Sequence, residues 1–160
     1  MTPFELLARL AGRWSGRGLG QCPTIQPFEF AEETSFLPAP EYPMLRYEQR
    51  AWLLPGRAAS HWELGLWRVV DGGEVEVSNA QDSGRVEVLR GRAEAEESDG
   101  VRVLLYSKWI ANDPRLVRTE RVLTLSGCVL HYIKYMATTT TAAPARIKHL
   151  EATLERVGDT

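Results

Sequence analysis

From Arg13 onward, apolar and polar residues alternate with a period of two, which is the signature of half-buried strands rather than helices. In "FEFAEETSF" the residues Phe28, Phe30, Glu32, Thr34 and Phe36 share one face. In "MLRYEQRAWL" the residues Leu45, Tyr47, Gln49, Ala51 and Leu53 oppose Met44, Arg46, Glu48, Arg50 and Trp52. The segments "HWELGLWRVV", "VEVSNA", "RVEVLRGRA", "VRVLLYSKWI", "VRTERVLTL", "VLHYIKYM" and "IKHLEATLERV" read the same way. Between them Asp71-Gly72-Gly73, Ser83-Gly84, Ser98-Asp99-Gly100, Asn112-Asp113-Pro114 and Ser126-Gly127 are turn signals at hairpin spacing. Only the N-terminus departs from this pattern. Thr2-Pro3-Phe4-Glu5 has a hydroxyl N-cap, a proline at the first helical position and a glutamate placed to complete a capping box. Phe4, Leu7 and Leu10 then follow at helical spacing, and Gly12 is placed to end the helix.

About ten short strands joined by tight turns cannot form a parallel sheet, because parallel strands need long crossovers. The prediction is an all-β fold: an antiparallel up-and-down β-barrel of about ten strands with one short helix. Closure hides the sheet edges and leaves an interior chamber, so a ligand cavity is expected.

The stretch "LAGRWSGRGLGQCPTI" sets Gly12, Gly16, Gly18 and Gly20 around Trp14. A dinucleotide-binding loop must follow a strand and open a helix, and here a helix precedes and strands follow, so a phosphate cradle is excluded. Gly16, Gly18 and Gly20 share the parity of Trp14. The indole is expected to plug one end of the barrel, while the glycines let the strand curl and leave space or admit a neighbour.

Composition narrows the function classes. The chain has 160 residues, 44% of them hydrophobic, which suits one domain spanning residues 1–160. A net charge of −2 with interspersed signs gives no footprint for nucleic acid or an anionic membrane. The absence of a basic leader and of any run of about 18 apolar residues leads to the expectation of a cytoplasmic protein. Cys22 and Cys128 lack any metal, redox or covalent-haem spacing, and both are expected to be reduced thiols. Trp52, Trp62, Trp67 and Trp109 lie in strand patterns and are expected to serve mainly as packing.

The string "GRWSGRGLG" followed by "PTI" resembles the Gly-x-Trp-x-Gly-x-Gly motif and proline-threonine continuation of the nitrobindin family. "RYEQRAW", "HWELGLWR", "SGRVEVLRG" and "KHLEATLER" extend the resemblance, in order, over nearly the whole chain. Cys22 stands where the family usually has tyrosine. The resemblance implies a fatty-acid-binding-protein-like barrel holding one non-covalent haem b near its mouth. Through the same resemblance, His149 is the axial iron ligand, and the haem-dependent activity is isomerisation of peroxynitrite to nitrate, with nitric oxide as a further ligand. No catalytic group beyond the iron is implied, and a homodimer is compatible with it.

The residues alone are less directive about His149. In "IKHLEATLERV", Leu150, Ala152 and Leu154 form the apolar parity, so a regular strand turns His149 outward. Either a bulge resets the face, or the Leu150 face packs elsewhere while His149 looks into a polar barrel. His61 and Gln81 are cavity candidates because the family's cavity draws on these two segments. Thr24 is either a haem-site residue or a strand-end hydroxyl, and His131 has no role in this reading. Two other functions fit the same barrel: a haem-free carrier of a small apolar ligand, and a cofactor-independent enzyme using the His61–Glu63 pair as a base.

Overall fold

A computed structural model describes residues 1–22, 25–139 and 146–158, with the backbone alone at Cys22. Thr24 and the Cys22 side chain therefore lie outside the described residues. The short helix α1, Pro3–Leu7, tightens into a 3-10 turn over Ala8–Leu10. Its capping box is present: the Glu5 amide donates to Thr2 Oγ1 at 3.1 Å, and the Thr2 amide donates to Glu5 Oε2 at 2.6 Å. The helix ends earlier than its glycine suggests. Gly12 instead opens the first strand at φ +138°, a conformation that side chains rarely adopt.

The strands are β1 Gly12–Cys22, β2 Ile25–Pro38, β3 Met44–Leu53, β4 Ala59–Val69, β5 Val75–Gln81, β6 Val86–Ala95, β7 Val101–Ala111, β8 Leu116–Ser126, β9 Val129–Thr138 and β10 Ile147–Arg156. All neighbours are antiparallel and consecutive, and β1 closes the barrel against β10. The hairpin turns use the left-handed backbone their residues permit, as at Gly84 (φ 91°) and Gly127 (φ 60°).

One end of the barrel is sealed. α1 packs against β4, β6 and β7, with Leu7 and Leu10 fully buried. Trp14 lies beside them, 1% exposed, its indole N–H donating to the Leu10 carbonyl at 3.0 Å. Phe36, Tyr47 and Trp67 stack inside this end with ring centroids 5.0–5.4 Å apart. The glycine face of β1 admits neighbours rather than leaving space. A Cβ on Gly18 would lie 2.6 Å from the Glu151 carbonyl and 2.8 Å from Ala152 Cβ, and the Phe28 and Phe30 rings cover the glycine face of β1.

The tryptophans divide by parity. Trp14 and Trp67 point inward, whereas Trp62 and Trp109 are 43% and 66% exposed on outward positions, which corrects the packing role expected for these two. The Arg50 guanidinium lies over the Trp62 ring, 4.6 Å from its centroid. Cys128 is a free, exposed thiol. No helix among the described residues is long and apolar enough to cross a membrane.

Candidate functional site

The end of the barrel opposite the helix is open, and a cavity of about 160 Å³ lies there. Its apolar wall comprises Phe28, Phe30, Leu116, Met136 and Leu150, and both His61 and His149 line it. Gln49, Arg121 and Lys134 form its floor, since the same three residues also line a smaller cavity of about 20 Å³ beneath.

His149 reaches this cavity because β10 is irregular at that residue. Lys148 pairs with Tyr135 and Leu150 with Lys134, so His149 is the extra residue between two consecutive pairs. A bulge of this kind breaks strict alternation. It allows His149 and Leu150, adjacent in sequence, to line the same chamber, while Ala152 and Leu154 keep the inward parity. His149 Nδ1 lies 2.8 Å from the carbonyl oxygen of Gln21 on β1. A carbonyl only accepts, so Nδ1 carries the hydrogen and Nε2 keeps its lone pair. Burial holds the His149 pKa below the usual imidazole value, and the charges of Lys134 and Arg85 act in the same direction.

Beneath the histidines lies a buried polar layer. Glu63 accepts from Lys134 Nζ at 3.0 Å and from Arg121 at 3.0 Å, and its Oε1 lies 2.9 Å from His61 Nε2. Burial opposes ionisation of Glu63, yet Arg121, Lys134 and His61 together hold its carboxyl well below the usual range. Glu87 accepts from Thr119 at 2.7 Å and Gln81 at 2.8 Å, and it too is held low against burial, chiefly by Arg121. Glu32 is the exception. Burial raises its pKa although Thr34, Tyr132 and Gln49 all donate to it. A carboxylate bound as firmly as Glu63 is a poor proton acceptor, which weighs against the His61–Glu63 pair as a general base.

Among the residues singled out from the sequence, His149 and His61 meet on one cavity. Gln81 does not line it: its amide is turned into the polar layer, donating to Asn79 at 3.0 Å and to Glu87 at 2.8 Å. Thr24 is outside the described residues. His131 lies on the outer surface, its Nε2 2.8 Å from Glu151. Sequence reasoning missed Arg121 and Lys134. Their signal was parity, because Arg121 alternates with Leu123 and Leu125, and Lys134 with Leu130 and Tyr132, all inward positions.

Among the described residues, no three histidines, cysteines or carboxylates are grouped to hold a bare metal ion. The neutral imidazole of His149, its Nε2 lone pair turned to an aromatic and aliphatic wall while the Nε2 of His61 is tied to Glu63, suits a metal that brings its own equatorial ligands on a flat apolar ring. The residues present therefore fit a haem.

The comparisons agree with this chemistry. A family model described as THAP4-like, heme-binding beta-barrel domain matches residues 4–156. The chain is 33% identical over 151 residues to an Arabidopsis thaliana protein named Peroxynitrite isomerase Rv2717c, covering 94% of this chain and 87% of that one. It is 39% identical over 124 residues to Peroxynitrite isomerase of Mycobacterium leprae, covering 78% and 73%. The crystal structure of Rv2717c from M. tuberculosis superposes with a TM-score of 0.89 at 29% identity over 99% of each chain.

Proposed function

Because the chain belongs to the THAP4-like, heme-binding beta-barrel domain family, we propose that it holds one haem b per chain, non-covalently, with His149 Nε2 as the protein ligand to iron, and isomerises peroxynitrite to nitrate. The activity is the one for which its Arabidopsis and mycobacterial relatives are named. A ferric haem held there by His149 would supply a redox-capable iron for the rearrangement of an anionic peroxide and for binding nitric oxide.

The observation that carries this reading is the Nδ1–Gln21 hydrogen bond. It sets the tautomer and orientation of His149 from a neighbouring strand, as the partners of metal-binding histidines do. The depressed pKa of His149 keeps the ring unprotonated near neutral pH, so no proton has to leave before a metal binds. Phe28, Phe30 and Leu150 offer apolar contact to a macrocycle. His61, held by Glu63, is a polar group on the cavity wall within the ligand-binding chamber. No protein acid is required. A cytoplasmic setting accords with the free exposed thiol of Cys128.

Hemin titration tests the reading. Wild-type protein is expected to develop a ferric Soret band saturating at one equivalent and to accelerate peroxynitrite decay to nitrate. His149→Leu is expected to keep the wild-type melt and lose the band. Wild-type protein that takes up no hemin overturns the reading and favours the two haem-free readings of the barrel.

A further inference from the structure

The floor of the open cavity has more hydrogen-bond donors than acceptors. Both oxygens of Glu63 are engaged: Oε1 lies 3.0 Å from Lys134 Nζ and 2.9 Å from His61, and Oε2 lies 3.0 Å from Arg121. Glu87 is likewise engaged, through Thr119, Gln81 and an Arg85 contact of 3.1 Å. The Gln49 side-chain oxygen accepts from both Tyr47 at 2.8 Å and Lys134 at 2.9 Å. The cations are not exhausted in the same way. An ammonium has three donors, and Lys134 directs two of them to Gln49 and Glu63. Arg121 has a five-donor guanidinium, of which Glu63 and Tyr47 take a part, with Glu87 Oε1 a further 3.9 Å from its Nη2.

Charge runs the same way. Arg121 and Lys134 line the cavity and share the one carboxylate of Glu63 behind them, whereas Arg85, also on the lining, is paired with Glu87 at 3.1 Å and with Asp113 at 3.3 Å, and burial biases Glu32 toward its neutral form. Glu120, also on the lining, is paired with Arg146 at 2.7 Å. Lys134 is only 14% exposed, so its charge acts in a poorly screened site.

Resting on the haem reading above, we propose that Lys134, backed by Arg121, is the anion-recognition group of the cavity and donates to an oxygen of the small oxoanion held there. Substrate and product of the proposed reaction are both small anions with several acceptor oxygens. A floor short of acceptors and rich in charged donors selects them over neutral ligands of the same size. Lys134 sits one strand from His149, opposite Leu150 in the β9–β10 pair, and thus beside the iron ligand of that reading.

The alternative source of the same chemistry is a haem propionate, and the experiment separates the two. Hemin affinity is measured first for wild type, Lys134→Met and Lys134→Arg, followed by azide and nitric oxide titration of each ferric protein by Soret shift. Lys134→Met is expected to retain hemin and nitric oxide affinity and to lose azide affinity about tenfold or more, the scale of one charge-assisted hydrogen bond. Lys134→Arg is expected to restore most of it. A fall in hemin affinity with azide affinity unchanged assigns Lys134 to a propionate and overturns the proposal, as does unchanged azide affinity alone. A second arm needs no haem. Nitrate, compared with chloride at equal ionic strength, is expected to raise the melting temperature of the haem-free wild type and not that of Lys134→Met. If wild type binds no hemin, the haem reading fails and this arm alone decides the anion site: equal responses of the two proteins overturn it.

Discussion

His149 Nδ1 and the Gln21 carbonyl oxygen, on opposite sides of the β1–β10 closure, lie 2.8 Å apart. The last strand's candidate ligand is thus oriented by the first strand's backbone, and barrel closure is itself a condition of the site. A variant that leaves β10 intact but shifts β1 is expected to weaken hemin binding as well.

The three histidines are expected to separate by position. His149→Leu removes the imidazole that faces the cavity and should abolish the Soret band. His131→Leu, whose ring meets Glu151 on the outside, should leave the spectrum unchanged. His61→Leu should retain haem and alter ligand association rates, because His61 lines the same cavity. Side-by-side hemin titration and stopped-flow ligand binding check all three, and wild-type hemin binding by His149→Leu removes the assignment.

Acid should reveal His149 separately from the carboxylates. Its folded pKa lies below the unfolded imidazole value of about 6.5. The unfolded chain therefore takes up the proton first, and stability present above about pH 6.5 declines as pH falls toward the folded pKa. Glu63 and Glu87 are also depressed, but from a carboxylate reference, so their contribution persists down to about pH 4.5 and is lost below it. Urea melts of the haem-free protein between pH 7 and pH 5 should show a decline in wild type that is reduced in His149→Leu. Parallel curves contradict it.

Gly18→Val should cost about 1–3 kcal/mol, the range for overpacking. Its Cβ meets a backbone carbonyl at 2.6 Å and Ala152 Cβ at 2.8 Å, neither of which can rotate away. Gly56→Ala, with nothing within 4 Å of its Cβ, should stay within about 0.5 kcal/mol of wild type. Denaturant melts of the pair provide the check, and equal midpoints would place the glycine face of β1 in open space.

Glu63→Gln should destabilise by about 3–5 kcal/mol, because it leaves Arg121 and Lys134 buried without their shared counter-charge. Restoring neutrality with the double variant Glu63→Gln, Arg121→Met should recover part of that loss. A double-mutant cycle by chemical denaturation measures the coupling, and strict additivity would show that the buried pair does not act as a unit.

Strand number, antiparallel order and the sealed end were legible in the chain because they depend on local rules. Alternation sets which side chains share a face, turn residues set the hairpins, and Thr2-Pro3-Phe4-Glu5 begins the one helix. Trp14 at the plug followed from parity alone, whereas parity left open whether the glycine face of β1 leaves space or admits a neighbour, and the structure shows the neighbour at Gly18. The same rule failed for Trp62 and Trp109, because it says which residues share a face and not which face is inside; an aromatic side chain is apolar enough to suggest a core position but tolerable on an exposed strand.

The site was less legible, for a physical reason visible at His149. Alternation holds only while the hydrogen-bond ladder is regular, and the unpaired residue between Lys148 and Leu150 reverses what alternation implies for one side chain. A bulge costs little locally and is set by register against β9, a strand whose pairing the β10 sequence does not encode. Lys134 and Arg121 illustrate the same limit. Parity places both on the inward face, but the sequence names no partner for a buried charge; tertiary structure brings Glu63 within 3.0 Å of both, which makes their burial tolerable. The sequence by itself determined a ten-stranded barrel with one blocked end and three histidines. Only the closed tertiary structure decided which of them share the cavity and that Arg121 and Lys134 meet Glu63 at its floor, because ion pairs between β4, β8 and β9 exist only once residues far apart in sequence are brought into register.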